Sequence, residues 1–171
     1  MAEYNHIAYM LEVAEKSKDI LHTTSKPHFH RISGLVMLEE FLANISNIAP
    51  GFHLLAEEDL NGQFIGDDNP LDRSNYMFFI VKQVKPEDHN ARQQVKRDCK
   101  AVIKKIVGRM RKHWREAQKV GDDAYGLRNF DTENILYQTI GPIGDNCFGI
   151  ECRFSIIEKA GTTYDNADWN E

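Results

Sequence analysis

The sequence lacks any apolar run long enough to cross a membrane. Its longest apolar stretches, residues 34–38 and 76–81, are far shorter than the roughly 20 residues that a spanning helix needs. The first residues also lack the basic segment and apolar core of a secretory signal. We therefore expect no membrane association and a cytoplasmic location.

Cysteine is scarce, and its spacing argues against the common cysteine-based sites. Cys99, Cys147 and Cys152 are odd in number and include no Cys-x-x-Cys pair that would indicate zinc or a redox couple. Because side chains alternate along a strand, Cys147 and Cys152 would lie on opposite faces of one. We predict three buried free thiols.

Recognisable catalytic patterns are absent as well. The sequence has no Gly-x-Ser-x-Gly, no Ser-x-x-Lys and no phosphate loop ending in Gly-Lys-Ser/Thr. The glycine-rich run 141–149 lies between two predicted strands, so it offers no helix N-terminus to a phosphate. The acidic runs 57–59 and 67–68 lack the alternating oxygen ligands of a calcium loop. We predict no catalytic residue and no cofactor, and hence a protein that is not an enzyme.

Histidine supplies one candidate metal site. In an extended segment His28 and His30 would share a face, and His22 and His53 could join them around a metal ion. No Asp, Glu or Cys stands beside them at ligand spacing, so we interpret the group as a chance cluster and predict no metal site. A metal-dependent enzyme centred on His28 and His30 remains a third alternative.

What the sequence does contain is the composition of a folded domain. At 171 residues, of which 42% are apolar, the chain is long enough to bury most of its unfolded surface in one core. We predict a single α+β domain over residues 1–160, followed by a flexible acidic tail over 161–171. In that domain a mostly antiparallel sheet packs against one long amphipathic helix and an N-terminal helix.

Hydrophobic periodicity places the shorter elements. Apolar residues at helical spacing predict an N-terminal helix within residues 3–23. Residues 29–48 fit both a short helix that begins at Ser33 and a buried strand over 29–38, and the helix is the interpretation we favour. The dipeptide Asn61-Gly62 predicts a hairpin turn. Residue composition predicts an exposed acidic loop over 66–75, and strands over 52–56, 63–65, 76–84, 135–140 and 147–158. The last strand alternates, so one of its faces should be buried and the other wet.

The clearest predicted element is a long helix over residues 86–118. Pro86 suits the first helical position, and Gly121 fits as a stop. Apolar residues recur at steps of three and four, so this stripe must face a sheet or another helix. The stripe consists of Ala91, Val95, Cys99, Val102, Ile103, Ile106, Met110, Trp114 and Ala117.

Charge is distributed unevenly along the chain. Residues 85–119 contain twelve Lys or Arg and four Asp or Glu, so this stretch is +8, whereas the whole chain is −5. A cationic helix face on an acidic body is typical of a docking surface for an acidic partner or for a nucleic-acid backbone. It also fits a solvated face that is balanced by acids of the same fold or of a neighbouring subunit. The candidate binding residues are Arg92, Lys96, Lys100, Lys104, Arg111 and Arg115.

The order of the predicted elements resembles that of tail-terminator and neck-type structural proteins of tailed bacteriophages. The resemblance rests on the strand 76–81 that runs into the helix from Pro86, on residues 106–110 and on the terminal segment 141–156. It implies a homo-oligomer whose charged helix faces the lumen, the next subunit or a neighbouring ring, and a location in the virion. We therefore expect a self-associating structural protein that contacts copies of itself or a neighbouring structural protein. The alternative is a module that binds nucleic acid or an acidic partner through the basic helix, although no helix-turn-helix, RNP or zinc-finger pattern appears.

Overall fold

The computed structural model describes residues 3–43, 50–59, 61–66, 70–85, 88–119, 123–143 and 146–160. The predicted acidic tail 161–171 lies outside these residues. In chain order, the elements are α1 (His6–Lys16), β1 (Phe29–Ile32), α2 (Gly34–Ala43), β2 (His53–Glu57), β3 (Asn61–Ile65), β4 (Leu71–Gln83), α3 (His89–Ala117), β5 (Leu136–Ile143) and β6 (Cys147–Lys159).

The described strands form one mixed sheet. Its order is β1-β2-β4-β6-β5, and β3 pairs with β4 on the same side as β2. β1 and β2 are parallel, whereas the other neighbouring strands are antiparallel. The long central pair of β4 and β6 is aligned from Leu71 opposite Lys159 to Gln83 opposite Cys147. Within the described part of the chain, β5 is therefore one edge of the sheet, and β1 and β3 form the other. The predicted α+β class is confirmed.

The main core lies between one face of the sheet and the helices α1 and α3. Alternate residues of β6 point into it, including Phe148, Ile150, Cys152 and Phe154. The long helix contributes the predicted apolar stripe, which is buried from Val95 to Ala117, with Ala91 and Trp114 partly buried at its margin. Burial of this continuous apolar surface is the main force that holds the helix on the sheet.

A second, smaller core covers part of the opposite face. Leu38 of α2 packs there against Leu55, Phe79, Val81 and other buried residues. The predicted wet face of β6 is therefore wrong in part, because Cys147 belongs to this second core and Glu151 and Ser155 are buried.

The three cysteines are all free and buried, as predicted. Cys152 belongs to the main core and Cys147 to the second. The two side chains therefore lie on opposite faces of β6, as their spacing requires.

Several predicted boundaries are wrong. Residues 29–48 contain both alternatives in succession, since β1 ends at Ile32 and α2 begins at Gly34, while residues 44–49 lie outside the description. Asn61 and Gly62 belong to β3 and pair with β4 instead of forming a turn. Residues 71–75 of the predicted loop are the first part of β4, held between β3 and β6.

The helix ends are set by capping side chains. α1 lies within the predicted range 3–23 and begins where the Asn5 side chain caps it, accepting a hydrogen bond from the Ala8 amide at 2.9 Å. The Asp88 side chain caps α3 in the same way, accepting from the Ala91 amide at 2.8 Å. Pro86 and Gly121 lie outside the described residues.

Candidate interaction surface

The two flanks of α3 differ in how their cations are neutralised. On the flank that faces α1, the Lys105 ammonium lies 2.7 Å from the Asp19 carboxylate, and the Arg109 guanidinium lies 2.7 Å from that of Glu12. The Glu12 carboxylate also accepts a hydrogen bond from Lys16 at 2.6 Å. These contacts lower the pKa of Glu12 and keep it ionised. The fold itself therefore balances the charge on this flank.

The opposite flank carries the six residues that the sequence singled out, which we name the basic stripe: Arg92, Lys96, Lys100, Lys104, Arg111 and Arg115. Steps of four or seven residues keep them on the side of α3 next to β5 and β6.

Aromatic rings and backbone, not carboxylates, surround much of the stripe. The Arg92 guanidinium and the Lys96 ammonium each lie 5.5 Å from the centre of the Phe148 ring. The Arg111 guanidinium donates to the Thr132 carbonyl at 3.1 Å. Among the described residues no carboxylate lies within ion-pair distance of Lys96 or Lys100.

Two further residues of the stripe likewise lack a carboxylate partner among the described residues. Lys104 and Arg115 are exposed, and neither has an ion-pair partner in the part of the chain that the structure describes. At Lys96, Lys100, Lys104 and Arg115 the described fold thus leaves positive charges without a carboxylate partner, which favours contact with an acidic partner.

The edge strand β5 runs beside this stripe and exposes apolar side chains. Leu136 is 67% exposed and Tyr137 is 53% exposed, on opposite faces of the strand. The Lys100 ammonium lies 4.6 Å from the centre of the Tyr137 ring. Its hydrogen bond and charge lower the pKa of the Tyr137 hydroxyl. The stripe and Tyr137 therefore lie on one face of the sheet, and Leu136 lies on the other face of the same edge strand.

The outer edge of β5 adds unpaired backbone groups to this surface. Within the described residues β5 pairs with β6 alone. An edge strand presents a row of unpaired amides and carbonyls, to which another strand can add. The sequence predicted this strand but not its exposure, because edge position depends on the strand order of the whole sheet.

The histidines come together, but not around a common point. The His30 Nε2 and His53 Nδ1 atoms are 3.3 Å apart, and the rings of His28 and His53 have their centres 4.8 Å apart. The His22 Nδ1 atom instead accepts hydrogen bonds from the backbone amides of His28 and Phe29. Burial lowers the pKa of His30 to about 4. Among the described residues no group of three or more His, Cys, Asp or Glu side chains is arranged to hold a metal ion.

Comparison with known proteins assigns this chain to no family. The chain matches no protein-family model, and no curated protein is similar to it in sequence. Among the residues that the structure describes, no helix is both long enough and apolar enough to span a bilayer.

Proposed function

We propose that this chain is a non-enzymatic structural protein that assembles with copies of itself through the surface formed by the basic stripe and β5. The observation that carries the proposal is the contrast between the flanks of α3. Cations that face α1 have carboxylate partners at 2.7 Å, whereas Lys96, Lys100 and Lys104 have none among the described residues. Such a surface favours an acidic protein partner.

Another copy of the chain is a suitable acidic partner. Because the stretch 85–119 is +8 and the whole chain is −5, the rest of the chain is −13. Each copy thus offers both a cationic stripe and an acidic body. The exposed Leu136 and Tyr137 add apolar area that an interface would bury. The resemblance in element order to tail-terminator and neck-type phage proteins agrees with an assembly of this kind and suggests a place in a phage or prophage tail.

The test is the mass of the purified protein by light scattering at micromolar concentration, in about 50 mM and about 500 mM salt. We expect an oligomer that weakens at high salt. Lys100→Glu/Lys104→Glu should reduce the association constant by roughly tenfold or more. Lys18→Glu/Lys26→Glu, which changes the net charge equally at exposed positions away from the stripe, is the matched control and should leave association unchanged. A wild-type monomer at every salt concentration would contradict the proposal.

A second candidate, binding of nucleic acid, is favoured by one observation. Tyr137 is an exposed ring beside the Lys100 ammonium, and single-stranded nucleic acids bind to such pairs by stacking and charge. Fluorescence titration with duplex and single-stranded DNA tests it. Binding that weakens steeply with salt, and that Tyr137→Ala reduces for single strands more than for duplex, would support this function. No binding at low salt would exclude it.

A further inference from the structure

We infer that copies of this chain join head to tail, with β5 and the basic stripe of one copy docked against β3 and the acidic end of β2 in the next. This inference rests on the proposed self-association and names the two surfaces that would meet. It draws on three features of the opposite edge of the sheet: an exposed strand, an exposed aromatic side chain and an acidic hollow.

The strand β3 is exposed along its length. Its residues 61–64 are exposed, and Phe64 is 67% exposed. Within the described residues β3 pairs with β4 alone, so its outer backbone groups have no partner strand. In the described part of the chain the sheet therefore has an open strand at each edge, β5 at one and β3 at the other. Each of these strands carries exposed apolar side chains, Leu136 and Tyr137 on β5 and Phe64 on β3.

Strand direction suits a head-to-tail contact. β3 is antiparallel to β4, β4 to β6, and β6 to β5. β5 and β3 therefore run in opposite directions. If the sheet of one copy continues into that of the next, the two edges meet as an antiparallel pair, the more stable of the two pairings.

The charges near the two edges also favour a head-to-tail contact. A hollow of about 420 Å³ lies near β3, between the start of α1 and the end of β2, and its lining includes Glu3, Glu57, Glu58 and Asp59. The Glu57 carboxylate already has a partner within the fold, because it accepts a hydrogen bond from the Gly34 amide at 2.8 Å. Glu3 and Glu58 are exposed, and Glu58 has one weak contact, at 3.4 Å to Arg31. These carboxylates can receive the ammonium groups of the stripe.

The same charges disfavour the symmetrical alternative. An antiparallel pair of two β5 strands would place both α3 helices on the same face of a joined sheet. Their basic stripes lie on the β5 side of each helix, so like charges would face each other across the interface. Head-to-tail contacts avoid this repulsion, and they generate a closed ring or an open filament depending on the rotation between copies.

The experiment is complementation between two charge-reversed variants. Lys100→Glu/Lys104→Glu reverses two charges of the stripe and leaves the hollow unchanged, and Glu3→Lys/Glu58→Lys reverses two charges of the hollow and leaves the stripe unchanged. In a head-to-tail assembly of either variant alone, the reversed side chains face charges of their own sign in the next copy. In an equimolar mixture the reversed side chains of one variant can face those of the other, which carry the opposite charge. Light scattering should show at least roughly tenfold weaker association for each variant alone and the wild-type mass for the mixture.

Folding controls and a second set of variants distinguish a failure of the head-to-tail contact from a failure of self-association itself. Circular dichroism should show each variant folded, because all four positions are at the surface. As an independent probe, Leu136→Ser and Phe64→Ser should each weaken assembly, whereas Leu21→Ser, at a Leu that is 62% exposed elsewhere, should not. A wild type that assembles while the mixed variants stay apart overturns the head-to-tail contact and leaves self-association standing. A wild type that never assembles overturns both.

Discussion

At the scale of single residues, Tyr9 and His113 tie α1 to α3 inside the main core. The Tyr9 hydroxyl and the His113 Nδ1 atom are 3.0 Å apart and buried. The His113 ring stacks on Tyr125, whose hydroxyl donates to Glu12 at 3.0 Å. Tyr9→Phe leaves the imidazole without its partner, so the free energy of unfolding should fall by about 1–3 kcal/mol. Urea denaturation measures this change, and Tyr137→Phe, at an exposed ring, should stay within about 0.5 kcal/mol of wild type.

A second buried imidazole makes stability depend on pH. The Met77 carbonyl can only accept, so the His6 Nε2 atom donates to it at 3.0 Å, and the Nδ1 atom accepts from the Tyr4 hydroxyl at 3.2 Å. Burial lowers the pKa of His6 to about 4, from an ordinary value of 6.5. Between these values the unfolded chain binds a proton that the folded chain does not. The contribution of His6 is therefore complete above pH 6.5 and is lost as the pH falls towards 4, by on the order of 3 kcal/mol.

The measurement is the free energy of unfolding in urea at several pH values between 7.5 and 4.5. His6→Gln should reduce the slope of stability against pH by up to one proton. Gln93→Ala, which removes no titratable group at an exposed position of α3, is the control and should leave the slope unchanged. An unaltered slope in His6→Gln would mean that this imidazole is not protonated differently in the folded and unfolded states.

These histidines also mark a limit of prediction from the sequence. His113 is buried in α3, but the apolar pattern of the sequence does not include it, because histidine counts as a polar residue. Its burial depends on a hydrogen bond with Tyr9, which is 104 residues away in the chain. The cluster of His28, His30 and His53 was foreseen as a possibility, since alternation along a strand requires His28 and His30 to share a face. Its hydrogen bonding depends on the parallel pairing of β1 with β2, which no local pattern specifies.

At the scale of elements, substitutions at two glycines test helix propensity and sheet packing separately. Gly108 lies in α3 with open space where a Cβ would stand, whereas a Cβ on Gly149 of β6 would collide with the Ile80 carbonyl oxygen. Gly108→Ala should therefore raise the free energy of unfolding by about 0.5–1 kcal/mol. Gly149→Ala should lower it by roughly 2–4 kcal/mol, because the β4–β6 ladder must shift. Thermal and urea denaturation of the two variants check both signs, and equal effects would refute this account of the β4–β6 contact.

The elements also differ in how far the sequence predicts them. α3 could be predicted almost to its last residue, because its apolar stripe repeats at the helical period and needs no knowledge of the partner. The strand residues 71–75 could not, since Asp72, Ser74 and Asn75 are typical of turns. They are extended because β3 and β6 hold them from both sides. Such non-local pairing outweighs local composition, and it also accounts for the misplaced turn at Asn61 and Gly62.

At the scale of the whole molecule, the segregation of charge was visible in the sequence, but its meaning was not. Which cations face carboxylates depends on the packing of α1 against α3, through Glu12 and Asp19. The structure thereby divides one basic helix into a flank whose cations pair with carboxylates and a flank on which Lys96, Lys100 and Lys104 have no carboxylate partner among the described residues. It also places this second flank beside the open sheet edge β5, whereas the other open edge lies near an acidic hollow.

This arrangement predicts a stability that depends on protein concentration. Assembly stabilises only folded copies, so a hundredfold rise in concentration above the dissociation constant adds about 2.7 kcal/mol per contact. For a chain of this length the midpoint of thermal unfolding should then rise by roughly 5–10 °C. Scanning calorimetry over that range measures it. Over the same range the midpoint of Lys100→Glu/Lys104→Glu should rise less, because its contact is at least roughly tenfold weaker, and high salt should flatten the wild-type response in the same way. A wild-type midpoint that is constant at low salt would show that copies of this chain do not associate through the basic stripe, because only a contact between folded copies couples concentration to stability.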